Sequence, residues 1–338
     1  MSKSLSVLLI IFILLSYSCG NKNVRIYKIN GFTMGTTYSI KISDYNTNLN
    51  INISDIRDRV KKELKRINMI FSTYINDSDI SKFNNCKGTD WFDTSKELVS
   101  IVSIALNVSK LSDGYYDITV GPLVNLWGFG PKKEQRKVPE DSEIKDVLKL
   151  IGYKKISIKK NPYQLKKDLP DMYIDLSSIA KGYGVDRIYE LLKQMGFSNF
   201  LIEIGGEVRT SGVKSEKKDW LIGIASPKNG FSVNRVVKLK DLSMATSGDY
   251  RNYFEKNGIR YSHTIDPKTG YPIKHKLASV SVIHKSCTLA DAYATAIDVM
   301  GEKRGMKFAE SLKLPVYMII RKNNGFKIYY SKEFEKYL

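Results

Sequence analysis

The chain has 338 residues, 42% hydrophobic and 26% charged, the composition of a globular protein with room for one large domain or two intimate ones. Its formal charge of +19 comes from 54 basic and 35 acidic residues. The lysines are scattered (Lys61, Lys62 and Lys65; Lys217 and Lys218), which excludes a compact arginine-rich nucleic-acid patch and reads as a solvated surface suited to anionic lipid or an anionic ligand.

Chain order begins with export. Lys3 precedes an apolar run at residues 5–15, too short to span a bilayer and matched to the hydrophobic region of an export signal. Ser18-Cys19 then reads as a bacterial lipoprotein cleavage site that leaves Cys19 as a diacylated N-terminus, although Ser16 and Tyr17 stand where such sites usually carry a leucine and a small residue. Secretion after plain cleavage is the alternative. The expected organisation is a signal at 1–18, a short tether at 19–30 and one domain at 31–338. The expected location is outside the cytoplasm, lipid-anchored in the inner membrane and facing the periplasm or cell exterior. Cys86 and Cys287 could pair or remain two free thiols.

Residues 31–42 alternate Phe32, Met34, Thr36, Tyr38, Ile40 and Ile42 on one face and predict a strand. Ser54 is placed to cap a helix with the apolar stripe Ile56, Val60, Leu64, Ile67 and Phe71. Thr94 and Glu97 form a capping-box pattern for the next helix, which runs through Leu98, Ile101, Ala105 and Val108. Residues 115–130 are aromatic and glycine-rich without a clean period; Tyr115, Tyr116 and Trp127 read there either as stacking partners for a flat ligand or as core plugs. A short helix at 144–150 and strands at 155–158 and 164–174 lead into DLSSIAKGYG, residues 175–184.

In that stretch a strand feeds a helix through small polar residues, and a helix start offers unpaired N–H groups that suit an anion. Lys181 lies in the first turns, where the dipole disfavours a cation. Gly182 and Gly184 each cost about 1 kcal/mol against alanine inside a helix, so they call for a close packing partner. The plainer reading is a serine-capped helix with a surface lysine. Downstream, strands are predicted at 200–204, 208–210, 220–225, 234–239, 277–283, 316–320 and 327–330, with polar loops at 244–250 and 261–270. Thr288 is placed to cap an alanine-rich helix. Irregular alternation with antiparallel hairpins argues for an α+β architecture rather than a doubly wound sheet.

The chemistry is spread over several places. Asp291 and Thr295, four apart, share a helix face and offer hard oxygen ligands to Mg²⁺ or Ca²⁺; equally, Asp291 alone could support its helix N-terminus. His263 is one of only three histidines and sits in a polar turn, which leans toward function. Gly205-Gly206 reads as a bulge or a site of close backbone approach.

Eight ordered blocks carry a resemblance: GFTMGTTYSI, STY, YYDITVGP, DLSSIAKGYGVD, IEIGGEVRTSG, ATSGDYRNYF, SHTIDPKTGYP and CTLADAYATAIDVMG. In this order, over residues 31–301, the chain resembles the FAD:protein FMN transferases of the ApbE family. The resemblance implies a T-fold-like α+β flavin-transferase fold with mixed or antiparallel sheets and packed helices. It implies an exported, often lipid-anchored enzyme that moves the FMN half of FAD onto a Thr or Ser hydroxyl, releasing AMP with the help of Mg²⁺. The implied acceptors are flavin-carrying subunits of membrane redox complexes; FAD hydrolysis and a non-catalytic flavin-binding lipoprotein are the alternatives.

Residue by residue, the resemblance implies FAD contacts at Met34, Tyr74, Tyr115, Tyr116, Asp117, Asp175, Lys181 and Ile265, with Tyr115 standing where relatives carry a smaller residue. It implies a metal set of Asp291, Thr295 and a main-chain oxygen at Ser178, with the Ala294 carbonyl as a further candidate. His263 matches the position of the proposed base. A hydroxyl is a poor nucleophile, so a base must take its proton as it attacks the phosphorus nearest riboflavin. Lys181 beside the same pyrophosphate would explain a cation at a helix start.

Overall fold

The structure is a computed structural model that describes residues 24–47, 51–131, 136–227, 232–249 and 252–338. Cys19 and the export-signal reading lie outside the described residues. The expected single strand at 31–42 instead takes in the end of β1 (Ile26–Thr33), a turn and most of β2 (Thr36–Ser43), a hairpin that turns at Met34-Gly35 with φ of 49° and 70°. A two-residue turn with both central φ positive matches the twist of the flanking strands. β1 opens at Ile26, so residues 26–30 belong to the sheet rather than to a tether.

Helix α1 (Ile53–Phe71) buries the expected stripe, but Asn52 caps it, accepting from the Ser54 and Asp55 amides. α2 (Asp79–Asn85), β3 (Phe92–Asp93) and α3 (Lys96–Leu111) follow. Ser95, not Thr94, caps α3; Glu97 instead bonds Arg66 and Tyr183 across to α1 and the later α6. Next come α4 (Gly121–Leu126), α5 (Asp141–Leu148), β4 (Ile156–Lys160) and β5 (Tyr163–Lys167). Met172, Tyr173 and Ile174 form no strand. They run as an extended link, fixed where the Ile174 amide donates to Asn84 Oδ1 and the Asp175 amide to the Ile118 carbonyl.

From there the chain builds α6 (Ser177–Gln194), β6 (Phe200–Ile204), β7 (Glu207–Ser211), β8 (Trp220–Ala225), β9 (Val233–Leu239) and β10 (Ser243–Gly248). It continues through β11 (Tyr253–Lys256), β12 (Ile259–Ser262), β13 (Leu277–His284), α7 (Cys287–Ser311), β14 (Val316–Lys322) and β15 (Gly325–Tyr330). Gly205-Gly206 is a second two-residue hairpin turn with positive φ, between β6 and β7. α7 breaks at Gly301, whose φ is 73°.

Eight strands form one sheet in the order β1-β2-β6-β7-β10-β13-β14-β15, with every neighbouring pair antiparallel. β10 occupies residues expected to be a loop. Its Ser-Met-Ala-Thr-Ser-Gly sequence lacks the β-branched alternation that marks a strand, and it is secured by its ladder to β13 and by a Thr246–Ser281 hydroxyl bond of 2.7 Å. Both sheet faces are covered, as period-two alternation requires. Val316, Met318 and Ile320 of β14 face the core under α3, α6 and α7, while Tyr317 and Ile319 face the core beneath the β8–β9 hairpin. Cys86 and Cys287 are both free thiols.

Asp186 ties α6 to the start of α7. Its carboxylate accepts from Ser286 Oγ, the Cys287 and Thr288 amides and Thr288 Oγ1, and pairs with Arg209 at 2.6 Å. Ser286 is the residue that caps α7, and Thr288 serves this clasp. Asp186→Ala leaves a largely buried guanidinium and several helix-start donors without their acceptor. It is expected to lower stability by about 3 kcal/mol, read as a lower urea midpoint at unchanged slope; an unaltered midpoint would refute the clasp.

Candidate functional site

Where α6 crosses α7, a cleft of about 430 Å³ opens and runs into an adjoining hollow of about 500 Å³. Tyr74, Asp175, Ser177 and Lys181 line both, so the two adjoin as one groove with Lys181 on the shared wall. The second hollow is mostly apolar, walled by Met34, Ile67 and Phe71. The first is mixed, with His263, Asp291 and Thr295 facing Val120, Val124 and Ile265.

Lys181 has the chemical reason its position called for. Its Nζ lies 2.8 Å from Glu207 Oε1 and 3.8 Å from Asp291 Oδ1. Burial acts to lower the ammonium's pKa, but the two carboxylates outweigh it and the net shift is upward, so Lys181 is charged at neutral pH. The Gly182 amide donates to Asp291 Oδ2 at 2.9 Å. A Cβ on Gly182 would stand 2.3 Å from the Cys287 carbonyl oxygen and 2.8 Å from the Asp291 Cβ, so glycine is what lets the helices meet. At Gly184 the nearest atom would be the flexible Met34 methyl at 3.0 Å. A Cβ at Gly205 would lie 3.2 Å from the Lys181 stem, a close backbone approach at a hairpin turn.

Burial pushes Asp291 upward and the Lys181 charge partly restores it. Burial likewise pushes Glu207 up to about 7, and its Oε2 has no hydrogen-bond partner among the described residues. Asp291 and Thr295 share one face of α7, as their spacing requires, and Thr295 Oγ1 lies 3.3 Å from Ser247 Oγ. Ser178 lines the same cleft and its hydroxyl donates to the buried Tyr116 OH at 3.0 Å. Among the described residues no group of three or more His, Cys, Asp and Glu side chains is placed to hold a metal. One carboxylate, a hydroxyl and main-chain oxygens still fit Mg²⁺, which binds through one or two carboxylates and completes its shell with water and substrate phosphates.

The remaining predicted contacts divide. Met34 stands at its hairpin tip and Tyr74, 71% exposed, stands at the rim of the groove. Ile265 faces the other hollow, so Met34 and Ile265 can touch only different parts of one ligand. Asp175 accepts from the Ser177 amide at 2.7 Å, bracing the start of α6. Asp117 has both oxygens engaged inside the protein, by the Thr119 amide and hydroxyl and by the Tyr153 amide. It orders the loop rather than offering a free carboxylate. The Tyr115 ring packs against two cations, with Lys268 Nζ 4.2 Å and the Arg304 guanidinium 4.5 Å from its centroid. Trp127 is fully buried, stacks on Tyr261 and donates to the Gly270 carbonyl, which makes it a core plug.

His263 Nδ1 lies 3.0 Å from the Asn252 carbonyl oxygen. A carbonyl only accepts, so Nδ1 carries the proton and neutral His263 presents Nε2 with a free lone pair. Burial lowers its pKa and the Asn252 bond partly opposes that, which keeps the imidazole neutral at pH 7. Two cleft residues escaped the sequence reading. Glu207 follows the Gly-Gly turn and reads there only as the end of a strand break. Asp298 lies seven residues past Asp291 on a buried alanine-rich helix face, and an acid on such a face is the signal that could have found it. Burial pushes Asp298 up to about 7.

Comparison with known proteins gives a consistent result. The ApbE family model matches residues 34–319. The FAD:protein FMN transferase of Vibrio cholerae is 42% identical over 317 residues, covering 92% of each chain. That of Haemophilus influenzae is 40% identical over 341 residues, covering 99% of this chain and 98% of the other. The solved flavin transferase ApbE from Vibrio cholerae superposes with a TM-score of 0.86 at 40% identity, over 93% of this chain and all of that one.

The two helix glycines are expected to respond differently to a methyl group. Gly182→Ala must push α7 backbone away, costing about 3 kcal/mol or more and separating Lys181 from Asp291. Gly184→Ala asks only two side-chain ends to shift, the Met34 methyl at 3.0 Å and Ile204 Cδ1 at 3.3 Å, and should stay within about 1 kcal/mol of wild type. Denaturant melts and ligand titration of both proteins check this, and equal behaviour would contradict the packing argument.

Proposed function

The chain belongs to the ApbE family, and on that premise we propose that it transfers the FMN half of FAD to a Ser or Thr hydroxyl of an acceptor protein, releasing AMP. The observation that carries this reading is the groove of two adjoining hollows that share a charged lysine on their common wall. FAD is a dinucleotide with a ring system on either side of a pyrophosphate, and two hollows flanking one ammonium match that shape and charge.

The reaction needs a hydroxyl proton removed while a P–O bond forms and the bond to AMP breaks. Neutral His263, held with Nε2 free, is the group suited to accept that proton. Lys181 keeps its charge and opposes the negative charge that gathers on the phosphates. Mg²⁺, held by the Asp291 carboxylate, the Thr295 hydroxyl and the Ser178 carbonyl, would supply further charge neutralisation at the pyrophosphate. The hydrogen bond from Gly182 fixes the Asp291 carboxylate for that purpose.

The test is incubation with FAD, Mg²⁺ and a candidate acceptor, followed by a search for a covalently fluorescent acceptor band. His263→Ala should keep FAD affinity within a few-fold while single-turnover transfer falls by roughly 10² to 10⁴. In wild type the transfer rate should fall as pH drops, because protonation fills Nε2. Since burial lowers the imidazole pKa, that fall should centre below the ordinary histidine value. Unchanged single-turnover rates in the variant would remove His263 from the chemistry.

Location follows from the start of the sequence. We propose an exported enzyme anchored through acylated Cys19 and acting on flavin-carrying subunits of membrane redox complexes. The 5–15 apolar run and Ser18-Cys19 support it. No helix among the described residues is long and apolar enough to cross a membrane. Wild type should sediment with membranes, and Cys19→Ala should not be processed to the same mature form. Wild type found wholly in the soluble fraction would leave secretion as the reading.

A further inference from the structure

Asp298 stands apart from the groups already given a role. It is 1% exposed, and with Asp291 and Thr295 it completes the i, i+4, i+7 row of α7 that lines the first hollow. Its Oδ2 accepts from Thr264 Oγ1 at 3.2 Å, while Oδ1 has no hydrogen-bond partner among the described residues. Among the described residues no ion pair reaches it: the nearby Arg321 guanidinium acts on it only at a distance and is itself engaged by Asp249 and the Leu277 carbonyl. A buried carboxyl with one idle oxygen costs free energy that an apolar residue at the same place would not. The same hollow is lined by the apolar Val120, Val124, Ile265, Pro267 and Val299, which suits a heterocycle more than a sugar or a phosphate.

We propose that Asp298 is a specificity-determining residue whose Oδ1 accepts a hydrogen bond from a nitrogen-bound hydrogen on one of the ring systems of the dinucleotide. This deepens the transferase reading and rests on it. Oxidised FAD carries two such ring donors, the exocyclic amine of adenine and the imide N–H of the flavin; the other ring heteroatoms accept, apart from the two nitrogens that carry the sugar and ribityl chains and do neither. A site built around an acceptor rejects a ligand that lacks the matching donor, because the buried oxygen is then left unpaired in the complex. Thr264 fixes the carboxyl orientation and is the chain neighbour of His263, so the ring is registered by the same segment that carries the proposed base.

The experiment uses two probes, FAD with hypoxanthine in place of adenine and FAD methylated at the flavin imide nitrogen. Each is titrated against wild type, Asp298→Leu and Asp298→Ala, without acceptor, and folding is checked by melting temperature. Wild type should bind one probe roughly ten- to a hundredfold more weakly than FAD, and the probe affected names the ring that Asp298 reads. In a folded variant that ratio should collapse to within about threefold, because FAD loses the bond that the probe never made. Either folded variant decides the matter. A wild type that binds both probes as well as FAD, or a variant that keeps the full wild-type ratio, overturns the assignment. A wild type that binds no FAD at all sinks the transferase reading itself.

Discussion

The cleft depends on the approach of α6 to α7 at Gly182, where a backbone amide meets the Asp291 carboxylate with no side chain between them. That contact brings Lys181, one residue earlier on α6, to the same carboxylate. Asp186, four residues after Gly182, clasps the first turn of α7, so the helices are joined at two levels. The sheet beneath adds the third wall, since the β6–β7 turn at Gly205-Gly206 lets the Lys181 stem lie against backbone and presents Glu207. Interdependence of this kind makes the site sensitive to volume: a methyl at Gly182 moves a helix, whereas the same group at Gly184 moves only the ends of the Met34 and Ile204 side chains.

The charges in the cleft are unevenly matched. Lys181 faces Glu207 and Asp291, with Asp298 further along the same helix, and burial raises the pKa of all three acids. Such a pocket is poorly prepared for a pyrophosphate by itself, because carboxylates repel it. Two changes reconcile them. Protonation of Glu207 or Asp298 removes negative charge near neutrality, and a divalent cation, if held by Asp291, would reverse its sign toward the ligand. The lone-carboxylate donor set therefore fits an ion that shares its shell with phosphate oxygens better than one sealed in a protein cage.

Much of the site was legible because its residues break local rules. A lysine at a helix start and two glycines inside that helix are costly without a tertiary cause, and the cause is the α6–α7 contact. The α+β class was legible from hairpins and irregular alternation, and every pairing in the large sheet is antiparallel. Other features left too weak a trace. The Met34-Gly35 turn hid inside an alternating pattern because a turn of two residues preserves the period of two. β10 is made of small and polar residues whose strand state is imposed by β7 and β13, not by propensity. Caps were misplaced by one or two residues, since Ser, Thr and Asn cluster at each helix start and only geometry selects among them. Asp117 and Asp298 show the limit from both sides. The first resembles a ligand contact and is saturated internally, while the second lies in an alanine-rich run and faces the cleft.

The early opening of β1 has a mechanical meaning. Ile26, the first residue of an edge strand, comes seven positions after Cys19. Seven residues span roughly 25 Å at full stretch, so an enzyme acylated at Cys19 keeps that corner of its sheet within a short leash of the bilayer. Such a leash would favour substrates already fixed to the same surface over diffusing ones, since it would concentrate the enzyme in a thin layer beside them. It would also limit how the cleft can be tilted, for a corner so held would let the domain pivot but not drift. The residues ahead of the sheet would then act as a ruler, and lengthening them would widen the layer the active site can sweep.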